Sequence, residues 1–188
     1  MQLPRLCKDH VALSKKVYYA ATAFQMGARV STLSAIEVAN EIIRVSREKG
    51  KSISNMKLQK LLYLAQGIHL ALKSDTPLFS DPVEAWKYGP VIPSVYHKFK
   101  IYFSGDIPAD HPFTGGTVPL DAEQKKLIGR VVELYGDLSA ISLSNFTHLP
   151  ESPWSAVYNA DTFSAEIPPP AIATYFRDWI EKAKQKAN

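Results

Sequence analysis

The chain has 188 residues, of which 46% are hydrophobic and 21% charged, with one cysteine and a net charge of +4. This composition is typical of one well-packed globular domain and excludes disordered and fibrous classes, internal disulfides and thiolate metal clusters. The charge is unevenly distributed, because residues 1–33 carry five basic side chains and one acidic one, whereas the remainder is balanced. We therefore predict a neutral domain over residues 34–188, preceded by a basic extension, residues 1–33, that the fold does not need.

The extension has a second interpretation, since its apolar residues also fit an amphipathic helix that docks on the domain or on a partner. No apolar run reaches the roughly 18 residues that a membrane span requires, and the N-terminal residues do not resemble a secretory signal. Together with the single cysteine, Cys7, these features predict a cytoplasmic protein that makes no contact with a membrane.

Two helices open the predicted domain. The first follows Ser34, which forms a capping box with Glu37, and it ends at Gly50. The second covers residues 54–74 and carries apolar side chains around most of its circumference, with Leu61 and Leu62 at its centre. A helix that is apolar on most sides is normally packed on most sides, so we predict that this one runs through the middle of the domain. Its narrow polar strip places Lys57 and Lys60 in solvent.

Residues 77–93 contain four prolines, which disfavour a helix. Residues 83–88 suit a short strand, with residues 83, 85 and 87 on one face and 84, 86 and 88 on the other, and Gly89 and Pro90 then predict a turn. Pro93 fits the first turn of a helix over residues 94–103, with an inward face made of Val95, Tyr96, Phe99, Tyr102 and Phe103.

The rest of the chain is predicted to be helical apart from a surface loop over residues 104–119. A helix starts at Asp121, capped with Gln124, and ends at Gly136. A shorter helix follows Ser139, a turn surrounds Trp154, and a last helix follows the three prolines at residues 168–170. The predicted fold is a mainly α, compact single-domain helical bundle around the central helix, with one small β-hairpin or short strands near residues 78–88.

Chemistry-bearing residues are sparse. The five histidines show no metal-binding spacing, and His69 falls on the apolar stripe of the central helix, where a core histidine bonded to a backbone carbonyl is the usual arrangement. Thr147 and His148, near Trp154, form the one polar cluster that could support acid–base chemistry. Phosphate-binding loops and nucleophile motifs are absent from the sequence. We predict no catalytic residue, no metal and no cofactor, and we keep a hydrolase that uses His148 or His69 as an alternative.

Two sequence blocks carry a family resemblance: K-L-Q-K-L-L-Y at residues 57–63 and E-A-W-K-Y-G-P-V at residues 84–91. With the later L-S-N-F-T-H and S-P-W segments, they make residues 34–180 similar to the SocA-like, phage-associated antitoxins, the Panacea domain family. The resemblance implies a bacterial or prophage antitoxin that binds a cognate toxin protein directly. One branch of that family instead delivers its toxin to the ClpXP protease.

The two blocks contain the predicted partner-binding residues, all of them at motif positions except Lys87, which is chosen for its charge: Lys57, Lys60, Tyr63, Trp86, Lys87, Tyr88, Gly89 and Pro90. The aromatic, proline-bracketed segment favours a preformed docking surface, because little ordering is needed when a partner arrives. A DNA-binding prophage regulator is the second alternative function. The neutral body and the lack of a clear helix-turn-helix disfavour nucleic acid as the partner.

Overall fold

The computed structural model describes residues 33–108, 110–112, 119–161 and 164–185. Helices dominate these residues, and a small antiparallel sheet accompanies them, so the predicted mainly α fold is confirmed. A 3₁₀ turn, Lys100–Tyr102, follows the third helix. In chain order the elements are α1 Ala35–Glu48, α2 Asn55–Leu72, β1 Glu84–Trp86, β2 Gly89–Val91, α3 Pro93–Phe99, α4 Ala122–Tyr135, α5 Ala140–Thr147, α6 Pro153–Val157, β3 Ala165–Glu166 and α7 Pro169–Gln185.

Helix α2 is the centre of the fold. It packs against α7, α1, α4, α5 and α3 and against strand β2. Every residue from Leu58 to Leu70 is buried, and Leu61 and Leu62 are fully so. The prediction of a central helix is therefore confirmed. None of the helices in the described ranges is long and apolar enough to cross a membrane.

Local capping explains where the helices begin. Ser34 with Glu37 and Asp121 with Gln124 each form a full capping box, in which the cap side chain accepts from the N3 backbone and the N3 side chain accepts from the cap backbone. These contacts satisfy N–H groups that a helix leaves unpaired at its start. Both predicted starts are confirmed, as is the end of α4 at Gly136.

The sheet has the strand order β2-β1-β3, with both pairs antiparallel. Trp86 pairs with Gly89, so the hairpin turn consists of Lys87 and Tyr88. The predicted turn at Gly89 and Pro90 is therefore wrong, because both residues belong to β2. Pro90 fits there since β2 is an edge strand, where proline's missing N–H is tolerated. Strand β3 was not predicted, because two residues give no readable alternation.

Two further differences concern the ends of predicted segments. Residues 1–32 lie outside the described residues, but Leu33, the last residue of the predicted extension, is fully buried and pairs with Phe79. The division of the chain stays a prediction, and Leu33 packs with the domain. Phe103, predicted to face inward, is 86% exposed, because the helix ends early and the backbone turns through a positive φ of 51° at this residue.

Candidate functional site

A cleft of about 590 Å³ opens between the hairpin, the first turns of α2 and helix α3. We call it the hairpin cleft. Aromatic and aliphatic side chains form most of its wall, and amide and ammonium groups of α2 add polar atoms. The lining residues are Asn55, Met56, Gln59, Lys60, Ala85, Trp86, Lys87, Tyr88, Val91, Tyr96, Phe103, Tyr158, Asn159, Ala160 and Ser164.

Lys60 lies beside the cleft and is only 1% exposed. Its Nζ donates to the carbonyl oxygen of Pro90 at 2.8 Å, and within the described ranges no carboxylate forms an ion pair with it. Burial lowers the pKa of Lys60 to about 7, because a charged ammonium loses its hydration there. The prediction that Lys60 faces solvent is therefore wrong.

Gly89 makes room for this buried lysine. A Cβ atom at residue 89 would lie 2.8 Å from the Lys60 Nζ and 2.6 Å from the Thr147 hydroxyl. Gly89 also has a φ of +100°, which side-chain-bearing residues rarely adopt. Glycine is thus required twice, for its backbone conformation and for the space that the ammonium occupies.

A second side chain of α2 binds the same strand end. Gln59 accepts from the backbone N–H of Ile92 at 2.8 Å and donates to Asn55 at 3.1 Å, and Asn55 in turn donates to the carbonyl of Tyr96. With Lys60 on Pro90, these bonds satisfy the backbone at the edge strand and the start of α3. The hairpin is therefore held against α2 by buried polar contacts.

Trp86 forms part of the cleft wall in a fixed orientation. Its indole N–H donates to Glu84 at 2.7 Å, and its ring meets the Tyr96 ring edge-on at a centroid distance of 4.9 Å. The backbone carbonyl of Trp86 accepts from the Trp154 indole at 2.8 Å. The Ser144 hydroxyl donates to the carbonyl of Tyr88 at 2.9 Å. Helices α5 and α6 thus hold the hairpin through two of its backbone carbonyls.

The rim of the cleft carries exposed aromatic rings. Tyr88 is 62% exposed and Phe103 86% exposed, and Lys87 holds its ammonium 5.5 Å from the centre of the Tyr88 ring. The positive φ of Phe103 is unusual for a bulky residue and costs conformational energy. Strain that holds a large apolar ring in water is typical of a binding surface.

The structure brings together some of the predicted partner-binding residues and separates others. Lys60, Trp86, Lys87 and Tyr88 line the cleft, and Gly89 and Pro90 form the strand beside it. Lys57 is half-buried, and its ammonium donates to the carbonyl of Ser52, away from the lining set. Tyr63 is 2% exposed and meets Phe176 edge-on at 5.5 Å. Tyr63 therefore lies in the core, and its burial does not support a direct contact.

The histidine alternatives gain no support from the geometry. His69 is buried with its Nδ1 2.9 Å from the carbonyl of Thr76, the predicted core arrangement. The hydroxyl of Thr147 donates to the backbone carbonyl of Ser144. The His148 ring packs on the Trp154 ring with a centroid distance of 4.0 Å, and its Nε2 has no hydrogen-bond partner. Burial lowers the pKa of His148, with Lys60 adding to the shift. Among the described residues no cluster of histidine, cysteine and carboxylate side chains could hold a metal ion.

Several cleft residues were missed from the sequence. Tyr158 stacks on Trp154 at 4.5 Å with the rings 15° apart, and their spacing of four residues could have indicated that contact. Tyr96 was predicted to face the core, and no role was predicted for Met56. The exposure of Phe103 has no sequence signal, since it depends on where the 3₁₀ turn ends.

The chain also resembles known proteins. The family described as "Antitoxin SocA-like, Panacea domain" matches residues 58–155, which include most of α2, the hairpin, α3 to α5 and the start of α6. The chain belongs to this antitoxin family. It is 34% identical to Antitoxin SocA of Caulobacter vibrioides over 138 residues. This aligned stretch covers 68% of this chain and 72% of that protein. No solved structure matches the chain significantly.

Proposed function

We propose that this protein is the antitoxin of a toxin–antitoxin pair and neutralises its toxin by direct protein contact, without turning over a substrate. The observation that carries the proposal is the 34% identity to Antitoxin SocA over 68% of the chain. The cytoplasm is the compartment that we propose for this activity. The cognate toxin is the expected partner, and no cofactor is needed.

The hairpin cleft supports this proposal as a binding surface. Its walls are fixed by hydrogen bonds from Lys60, Gln59, Ser144 and Trp154, so little conformational freedom would be lost on binding. Exposed aromatic side chains such as Tyr88 are over-represented at protein interfaces. A rigid cleft with exposed aromatic rings at its rim therefore suits a protein partner.

The test is co-expression of this chain with the product of the adjacent gene. We expect that product to arrest growth when it is produced alone, and growth to recover when this chain is produced with it. The two proteins should also co-purify. Growth arrest that this chain does not relieve would contradict the proposal. Relief by this chain without co-purification of the two proteins would contradict it as well.

The route of neutralisation needs a second comparison, because steric inhibition and delivery to ClpXP are both compatible with binding. In cells that lack ClpX, relief by simple binding should persist. Relief by proteolytic delivery should disappear, and the half-life of the toxin should lengthen. Simple binding predicts that growth recovers without ClpX.

A further inference from the structure

When Lys60 is protonated, the polar side of the hairpin cleft holds an ammonium with no ion-pair partner among the described residues. Lys60 is almost completely buried, and its ammonium has three N–H donors, of which one is used by the carbonyl oxygen of Pro90 at 2.8 Å. Across the described ranges no ion pair neutralises it. Glu84, the acidic residue of the hairpin, already accepts from the Trp86 indole. A buried lysine without a compensating anion loses its proton more easily, so an anion bound on this side of the cleft would stabilise the charged form of Lys60.

The walls of the cleft limit which kind of molecule could supply that anion. Trp86, Tyr96, Tyr158 and Val91 line the cleft, and a volume of about 590 Å³ admits only a few side chains. Tyr88 and Phe103 line the cleft yet remain 62% and 86% exposed. An occupant that covers both rings must extend beyond the cleft itself, which favours a protein segment over a small metabolite.

We propose that the hairpin cleft binds a short segment of the partner protein that combines an apolar side chain with a carboxylate, and that Lys60 pairs with this carboxylate. The apolar side chain packs against the wall that the contacting rings of Trp86 and Tyr96 form, and Tyr88 and Phe103 cover the flanking residues. The carboxylate is an aspartate, a glutamate or the C-terminus of the partner. This assignment rests on the proposed function, since it defines the chemistry by which the toxin is recognised.

The charge placement around the cleft agrees with an anionic segment. Lys87 adds a second cation at the rim, with its ammonium over the Tyr88 ring. A carboxylate that reaches Lys60 would form a charge-assisted hydrogen bond in a water-poor site, where such bonds are strongest. The oxygen of an amide in the same place would accept a hydrogen bond from the ammonium but would leave its charge uncompensated.

The test uses two small probes that differ in that one group, 3-phenylpropionate and its primary amide. Binding is followed in the full chain at about pH 6.5 through the NMR signal of the Trp86 indole N–H. We expect 3-phenylpropionate to bind at least about tenfold more tightly than the amide. In Lys60→Met the two affinities should become equal. Ile141→Ser, which changes an exposed apolar residue on α5, is the matched control and should behave as the parent chain does.

The remaining outcomes separate this inference from the proposed function. Equal affinities in the parent chain, or a preference that survives in Lys60→Met, would overturn the assignment of the carboxylate to Lys60. With the toxin bound, 3-phenylpropionate should no longer shift the Trp86 signal. A probe that still binds in that complex would exclude the toxin from the cleft, while leaving neutralisation by another surface in place.

Discussion

The two sides of helix α2 are built on different principles. Toward α7 the contact is apolar and close, with the Phe176 ring placed where a Cβ of Gly67 would lie and the Tyr63 ring edge-on to Phe176. Toward the hairpin and the preceding loop, buried polar side chains bind backbone groups instead. The α7 side is held by packing, and the hairpin side is held by hydrogen bonds that fix irregular backbone in one position.

That difference matters for function. Close packing tolerates volume changes poorly, but it leaves nothing exposed for a partner. Side-chain hydrogen bonds to a strand edge position a surface and keep its outer face free. We therefore assign the α7 side to stability and the hairpin side to recognition, and the predictions below are arranged to challenge this division.

The largest effect should come from Gln66, which joins α2 to the loop before the hairpin. It accepts from the N–H groups of Leu78 and Phe79 and donates to the carbonyl of Phe79. Gln66→Met leaves three buried backbone groups unpaired and should cost at least about 3 kcal/mol. Leu64→Met, a change at a fully buried apolar position of the same helix, should cost less than about 1.5 kcal/mol. Urea unfolding measures the free energy of unfolding of both variants. Equal losses would contradict the conclusion that buried hydrogen bonds hold the hairpin side of α2.

The second prediction is a pH dependence that originates at Lys60. Its pKa of about 7 in the folded chain lies below the ordinary 10.5, so between these values the unfolded chain binds more protons. The free energy of unfolding should therefore rise with pH through this window, by up to about 1.4 kcal/mol per pH unit. The window from about pH 7.5 to 9.5 lies above the titration of His148, whose pKa is lowered, and below that of the buried Tyr63, whose pKa is raised.

The check is the slope in Lys60→Met. Urea unfolding at about pH 7.5, 8.5 and 9.5 should give a rising free energy for the parent chain and a clearly flatter line for the variant. Parallel lines would mean that Lys60 keeps an ordinary pKa and is not buried as described.

The third prediction tests the α7 side. Gly67→Ala places a methyl group 2.3 Å from the Phe176 ring, and the overpacking should cost about 1–3 kcal/mol. Gly129, inside α4, has open space where its Cβ would lie. Gly129→Ala should therefore stabilise the chain by about 0.5–1 kcal/mol, since alanine favours a helix. Thermal melts that move both variants in the same direction would reject the close α2–α7 contact.

The sequence predicted the apolar contacts of helix α2 better than its buried polar contacts. Periodicity identified α2 as central, and the capping residues Ser34 and Asp121 located the helix starts, because these signals depend on neighbours in the chain. A helical wheel shows which residues share a face, but it cannot show that the ammonium of Lys60 meets the carbonyl of Pro90, thirty residues away. The exposed side chain of Phe103 likewise depends on tertiary placement.

The smallest stability effect should be at the rim of the cleft. Tyr88 is largely exposed, and its contact with the Lys87 ammonium is a surface cation–π pair. Tyr88→Ser should change the free energy of unfolding by no more than about 0.5 kcal/mol. A larger loss in urea unfolding would show that Tyr88 supports the hairpin and would weaken its assignment to recognition.

The most direct test of the hairpin cleft as the antitoxin surface is the affinity of the toxin for rim variants that fold normally. Tyr88→Ser combined with Phe103→Ser removes two exposed rings of the cleft, whereas Ile141→Ser removes an apolar side chain that is 67% exposed on α5. The account predicts that the double variant binds the co-purified toxin at least about a hundredfold more weakly, because truncation of a binding hot spot costs at least about 2 kcal/mol. Ile141→Ser should bind as the parent does. A double variant with parental affinity and full rescue of growth would contradict the account.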